Sequence, residues 1–472
     1  MAAMNSLRIL LLLVTVLGLS GCGAAPANPH RASRKVEDKK ETPLPAAPSP
    51  ASAGGKGSTT SQQEAKKPNS DEAAKAGTGK GPMRRAPGSG FQGSSATISL
   101  PPPPLRERHD LLAGWIDLYD GVSLFGWTAQ SEANWLGEGG HLTVSEGAPG
   151  LLTTNNEFGD YHLRVDYLAD PETNSGVFLH TNDAPGRDDI TTRCYEVNIA
   201  PESNPFPTGS IVGRMKANHS IKEGAWHSLE AKVQGGRVMI YVDGSLTADY
   251  TDPRPLRRGK IGLQFNTGAI KFREVKIKPL GLGLFGDAGG QSGWKLDTNG
   301  RTALEVSVDG DFHLRGGKGF LESEKTFKDF ILQVEARTNH ENQNSGIFFR
   351  TIPGSNMDGY ECQINNAAVD EKPVDFGTGG IFNRQKARIM PAPEGQWFAL
   401  TIICQGARMG CWVNGTQVSD WVDDRPEDPN PRKGKRLEAG TIQLQGHDAK
   451  TDVSFRLFRA AELPTRNEPP AP

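Results

Sequence analysis

Apolar and polar positions alternate along most of this chain. Tyr161, Leu163, Val165 and Tyr167 take every second place, with His162, Arg164 and Asp166 between them. Far downstream Phe330, Leu332, Val334 and Ala336 do the same, with Ile331, Gln333, Glu335 and Arg337 in the gaps. A period of two is that of a strand with one buried face. The runs are short and end in turn chemistry such as Asp120-Gly121, Asp243-Gly244 and Asn414-Gly415. No long helical period appears, so the pattern predicts an all-β chain.

The pattern also repeats. Asn174-Ser175-Gly176-Val177-Phe178-Leu179-His180 returns as Asn344-Ser345-Gly346-Ile347-Phe348-Phe349-Arg350. Before each heptad stands an alternating strand opening on Asp160-Tyr161 or Asp329-Phe330. After each comes a Tyr-Glu strand, Tyr195-Glu196 or Tyr360-Glu361. Then follow Thr208-Gly209 and Thr378-Gly379, Trp226 and Trp397, Tyr241 and Trp412 before their turns, and the closing Leu263-Gln264 and Leu444-Gln445. The order is the same in both halves. Two tandem β-sandwiches are expected, over residues 109–280 and 281–463.

The flanks differ. Ile9 to Leu19 is a short apolar run behind Arg8, which predicts a signal peptide over residues 1–21 and is too brief for a comfortable membrane span. Leu19-Ser20-Gly21-Cys22 is similar to a bacterial lipobox, in which Cys22 is lipidated; the plain alternative is an ordinary signal peptide with a chance cysteine. Residues 22–108 are rich in Ala, Pro, Gly, Ser and Lys and are expected to form a disordered tether, with a short disordered tail at 464–472. The expected location is the bacterial cell envelope, lipid-anchored, on its periplasmic or outer-membrane face. A net charge of −2 gives no whole-chain electrostatic case for nucleic acid.

Four cysteines follow Cys22. Cys404 and Cys411 flank a hairpin and read either as a disulfide or as two apolar strand residues. There is no metal-ligand spacing, and no cofactor is expected. Trp226 and Trp397, recurring at matching positions, are expected in the two cores.

Both halves resemble the 3-keto-disaccharide hydrolase domain family, through the early Gly126-Trp127 and Gly293-Trp294, the heptads, the Tyr-Glu strands and the segments after them. The likeness covers nearly all of residues 110–460 and is closer in the second half. It implies two concanavalin A-like jelly rolls and cleavage of 3-keto-glycosides, by hydrolysis or by elimination. The partner it implies is a carbohydrate, either an oxidised glycoside or a polysaccharide. The alternatives are a non-catalytic, lectin-like tandem and an envelope interaction protein that binds no glycan.

Alternation sorts the candidate residues. Glu361 and Gln363 share a face opposite Tyr360, Cys362 and Ile364. With the apolar face inward, both point into a groove, and Arg350 joins them if the strands pair in that register. Glu361 then serves as acid or base, and Arg350 polarises a keto oxygen. Arg384 and Lys386 add positive charge near the substrate. The plain alternative is a structural Arg350–Glu361 ion pair with exposed basic neighbours. The first half keeps Glu196, Arg214 and Lys216, but has His180 for Arg350 and Asn198 for Gln363. Pro201 and Asn366 stand where the family resemblance implies an aspartate. Trp421, outside the shared pattern, reads as a sugar-stacking or a loop-packing residue.

Overall fold

The computed structural model describes residues 108–186, 189–285, 292–370 and 372–466. The expected signal peptide, the lipidation site Cys22, the tether up to residue 107 and the tail from 467 lie outside the described residues.

Among the described residues the α-helix is the five-residue Arg108–Leu112, and the rest of the architecture is β. The first module has two sheets. In the larger, the path runs through Ser245–Thr251, Arg237–Val242, Trp226–Gln234, Tyr161–Ala169, Ile270–Pro279, His141–Val144 and Leu136–Glu138, and Ile116–Asp117 adds to Ile270–Pro279. The smaller runs through Trp127–Ala129, Gly150–Thr154, Lys260–Thr267, Asn174–Thr181 and Tyr195–Ile199. The second module repeats the smaller sheet as Trp294–Leu296, Gly319–Phe327, Gly440–Gly446, Ser345–Thr351 and Tyr360–Ile364. Its larger sheet is centred on Phe330–Thr338 between Asp452–Glu462 and Phe398–Gln405. The chain is two tandem jelly-roll sandwiches.

Alternation builds each core. Tyr161, Leu163, Val165 and Tyr167 are wholly buried between the sheets, while His162, Arg164 and Asp166 face out and are partly exposed. Each large apolar side chain buried this way contributes roughly 1.5–3 kcal/mol. In the second module the outward place equivalent to His162 is Ile331, and it is buried too. Ile331, Ile403 and Trp412 leave their own sandwich and join the apolar cluster of the first module. The first module thus lies on the outer face of the second module's larger sheet. Hydrogen bonds fix the contact: Trp412 Nε1 donates to the Asp117 carbonyl at 2.9 Å, the Asp117 amide to the Gly415 carbonyl at 2.7 Å, and Gln333 Nε2 to the Gly114 carbonyl at 2.9 Å.

One expectation is corrected, and one open alternative is resolved in favour of two apolar strand residues. Trp226 and Trp397 are not core residues. Both are half-buried on the larger sheets, where Arg273 stacks 3.9 Å from the Trp226 ring and Arg456 stacks 4.0 Å from Trp397. Cys404 and Cys411 do not face each other: Cys404 sits opposite Met409, and Cys411 opposite Ile402. The four cysteines after Cys22 are free and buried.

Candidate functional site

The outer face of each smaller sheet carries polar side chains at positions where alternation turns them away from the core. In the second module Ile347, Phe349, Tyr360, Cys362 and Ile364 point inward. Gly346 pairs with Gln363 and Phe348 with Glu361, which brings these four to the other face. Glu361 is only 4 % exposed. The glycine of the heptad has a reason: a β-carbon on Gly346 would lie 2.7 Å from Glu361 Oε1. The Gly176 of the first module stands beside Glu196 in the same way, its β-carbon position 3.4 Å from Glu196 Cγ.

Glu361 accepts a hydrogen bond from Arg432 Nη2 at 2.9 Å. Arg432 is itself held by the Met357 carbonyl at 3.0 Å, and its guanidinium lies 4.9 Å from the Phe348 ring. Burial pushes the Glu361 carboxyl above the ordinary range, and the charge and hydrogen bond of Arg432 and the charge of His447 pull it part-way back. Beside it Glu322 accepts from Gln443 Nε2 at 3.0 Å and from the Gly354 amide at 3.1 Å. Gln443 Oε1 in turn accepts from the Met357 amide at 3.1 Å. These bonds hold the turn around Gly354–Asp358 over the sheet. Gln363 donates to Asn344 Oδ1 at 3.3 Å, and Gln445 donates to the Met357 sulfur at 3.3 Å. The side-chain carbonyls of Gln363 and Gln445 are buried with no hydrogen-bond partner. An open cleft of about 650 Å³ adjoins this turn, with Arg301, Lys318, Phe320 and Asp448 among its walls.

The first module keeps the carboxylate and changes its surroundings. Glu196, opposite Phe178, is 6 % exposed. Burial raises its carboxyl from 4.5 to about 7, and a hydrogen bond with Gln264 works the other way. The Gln264 carbonyl is buried without a partner, like that of Gln445. Asn198 donates its amide to the Phe206 carbonyl.

Arg350 and His180 are not part of either face. Both have positive φ, 48° and 51°, and both sit at irregularities in the pairing with the neighbouring strand. The bulge reverses the alternation, so these side chains turn inward. Gly440 and Gly259 permit it, because a β-carbon at either would overlap the carbonyl carbon of Arg350 or of His180. Arg350, 0 % exposed, donates to the carbonyls of Lys328 at 2.8 Å, Gly406 at 2.6 Å and Arg436 at 3.0 Å, and to Asp329 Oδ1 at 2.9 Å. His180 bonds the Gly159 carbonyl at 2.8 Å, and burial holds its imidazole below the ordinary histidine value. Neither reaches a substrate on the outer face.

The other basic candidates also have structural partners or lie in solvent. Arg214 donates to the carbonyls of Cys194 and Thr191 and stacks 4.3 Å from Tyr195. Arg384 donates to the Arg432 carbonyl at 3.0 Å, supporting the loop that carries the Glu361 partner. Lys216 and Lys386 are exposed. Trp421 packs on the second core, with its ring edge-on to Tyr360 at 6.2 Å, and is not on the candidate face.

Sequence reasoning missed Arg432, in a segment the first half lacks, and Glu322 and Gln443, whose places in the first half hold Thr153 and Gly262. It quoted Gln264 and Gln445 as closing motifs without giving them a role. Their recurrence after leucine, alternating outward, was the available signal. Among the described residues no group of three or more His, Cys, Asp or Glu side chains is placed to hold a metal ion.

A paired jelly roll with a buried carboxylate and an unpartnered amide carbonyl on each smaller sheet is the frame. The chain belongs to the family of 3-keto-alpha-glucoside-1,2-lyase-like domains, whose pattern matches residues 114–278 and again 284–460. Among solved structures it is similar to a Parabacteroides distasonis protein with a provisional glycosyl hydrolase designation, at 24 % identity over 35 % of this chain and 99 % of that one, with a TM-score of 0.30. It is also similar to the carbohydrate-binding module CBM66 from Bacillus subtilis, at 16 % identity over 32 % and 95 % of the two chains, TM-score 0.27. A third is the Bacillus licheniformis beta-glucanase, at 16 % identity over 35 % and 96 %, TM-score 0.25. No curated protein matches.

Proposed function

We propose that this protein cleaves 3-keto-glycosides at the bacterial cell envelope, held there by a lipid on Cys22. The observation that carries the reading is the buried carboxylate beside an unpartnered glutamine carbonyl, present on the same sheet face in both modules. A keto group at carbon 3 acidifies the proton on carbon 2. A carboxylate removes that proton, the electron pair forms the enolate, and the enolate expels the glycosidic oxygen from carbon 1. Water addition to the resulting double bond completes net hydrolysis. A carboxyl titrating near neutrality is suited to such a transfer, since the effective pKa of a general base lies near the working pH. The unpartnered carbonyls of Gln264, Gln363 and Gln445 are acceptors for sugar hydroxyls.

A second reading, carbohydrate binding without turnover, is favoured by one feature. Glu361 is engaged by Arg432, and that pair recognises hydroxyls as well as it transfers protons. The test is incubation of the soluble fragment, residues 99–464, with 3-keto-glucosides and with the unoxidised glucosides. Aglycone release from the keto substrates alone is expected. Saturable binding without release on either substrate would replace the enzyme reading with the binding one.

A further inference from the structure

The two modules place the same carboxylate in two different settings, and the difference is built from several positions at once. In the second module Arg432 comes from a segment with no counterpart in the first, and it occupies Glu361 Oε2 at 2.9 Å. Arg432 is fixed by the Met357 carbonyl, by the Phe348 ring and, through its own carbonyl, by Arg384. Glu322 and Gln443 add a second layer, tying the turn at Gly354–Asp358 across the sheet. The equivalent places in the first module hold Thr153 and Gly262, a matched pair in the ladder, too short to hold such a turn. Among the described residues no cationic side chain is an electrostatic partner of Glu196, and its companion is Gln264. Beside it Leu151, Phe178 and Cys194, with Ile190 packed on them, form a small buried apolar cluster.

We infer that the modules divide the reaction: Glu196 in the first module takes the proton from carbon 2, and the second module, through the Glu361–Arg432 pair with Gln363 and Gln445, holds sugar without cleaving it. The inference rests on the 3-keto-glycoside reading above and assigns its chemistry to one module. Arg432 holds Glu361 Oε2, and its charge and hydrogen bond make that carboxylate a weaker base than an unpaired one in the same setting. The pair is well placed to give and receive hydrogen bonds with vicinal hydroxyls. The first module has the bare carboxylate that abstraction needs, and the second has the denser set of donors and acceptors that recognition needs. Trp412 donates to the Asp117 carbonyl across the contact between the modules, and two sites on one chain gain avidity on a polymeric glycan.

The experiment compares four proteins, each first checked for a cooperative thermal transition: wild type, Glu196→Gln, Glu361→Gln and Arg432→Met. The readouts are aglycone release from a 3-keto-glucoside and deuterium wash-in at carbon 2 in heavy water, followed by NMR. Glu196→Gln is expected to lower both release and wash-in by about 10²–10⁴-fold, the usual contribution of a positioned base. Glu196→Asp, which keeps a carboxylate but draws it back, is expected to recover part of the loss. Glu361→Gln and Arg432→Met are expected to lower kcat/KM through a raised KM and to weaken glycan binding, whereas Glu196→Gln acts on kcat. Loss of turnover in Glu361→Gln with Glu196→Gln near wild type would overturn the division while leaving the 3-keto-glycoside reading intact. A folded wild type that shows neither release nor wash-in would overturn both.

Discussion

Arg350 and Asp329 form a buried ion pair, with Arg350 Nη2 2.9 Å from Asp329 Oδ1. The other oxygen of Asp329 takes Arg258 Nη1 at 2.8 Å, and Arg258 Nε reaches Glu157 at 2.7 Å. Two arginines and two carboxylates, drawn from both modules, alternate through the contact between them. Burial opposes ionisation of Asp329, but hydrogen bonds from Arg258 and from the Gly406 amide, with the charges of Arg258 and Arg350, hold its carboxyl below the ordinary range. The arginine that alternation places over a substrate is instead the anchor of this chain of charges.

Arg350→Met is therefore expected to act on folding. It leaves Asp329 short of a partner and three carbonyls without their donor. Breaking a buried pair of this kind costs about 3–5 kcal/mol. Urea unfolding should show the free energy of unfolding falling by that amount, with an earlier midpoint, and the folded fraction should keep its specific activity. A stable variant with lost turnover would contradict the structural assignment.

Trp412→Ala tests the contact between modules. The indole is buried against the first module and donates to the Asp117 carbonyl. Truncating a buried tryptophan costs about 3–5 kcal/mol. Calorimetry should show one cooperative transition in the wild type and two resolved transitions in the variant, the first module melting apart from the second.

Glu196 makes stability depend on pH. Its folded-state carboxyl is raised from 4.5 to about 7, so the folded protein binds the proton more tightly than the unfolded chain. The contribution is complete below about pH 4.5, declines as pH rises to about 7, and is flat above. At about 1.4 kcal/mol per unit, the decline is roughly 3 kcal/mol. Glu196→Gln should remove this slope, so the variant melts higher than wild type at pH 8. Equal melting points at pH 8 would argue against a buried, unpaired carboxylate. In activity the sign is reversed: a base must be ionised, so kcat/KM of the wild type should rise through about pH 7 and level off above it.

Gly346→Ala probes the floor of the second site. A β-carbon there would meet Glu361 Oε1 at 2.7 Å, so the carboxylate must move off Arg432. Glycan binding by isothermal titration is expected to weaken at least tenfold, with a melting point close to wild type.

The four cysteines after Cys22 are wholly buried and free. A thiol reagent should modify none of them in the folded protein and all of them in denaturant. Reaction of a single thiol before unfolding would place that strand nearer the surface than described.

The all-β class, the duplication and the two sandwiches were legible in the sequence, because strand alternation and turn residues are local signals and the repeat doubled each of them; the jelly-roll form came with the family resemblance. Alternation also placed Glu196, Glu361 and Gln363 on the outer face, since those strands are regular. It failed at Arg350 and His180, where a single bulged residue at positive φ reverses the parity of the strand. The only trace of that in the chain was the glycine that closes against each bulge, Gly259 and Gly440. Ile331 and Trp412 read as ordinary members of a repeat, yet they are apolar because the neighbouring module covers them. Arg432 lies 71 residues from Glu361, in a segment one half has and the other lacks, so no periodicity connected the two. Local pattern fixed which residues form strands and which side most of them face. Pairing register, bulges and the packing of one module on the other depend on contacts between distant parts of the chain, and these decided which charged groups became anchors and which remained available for chemistry.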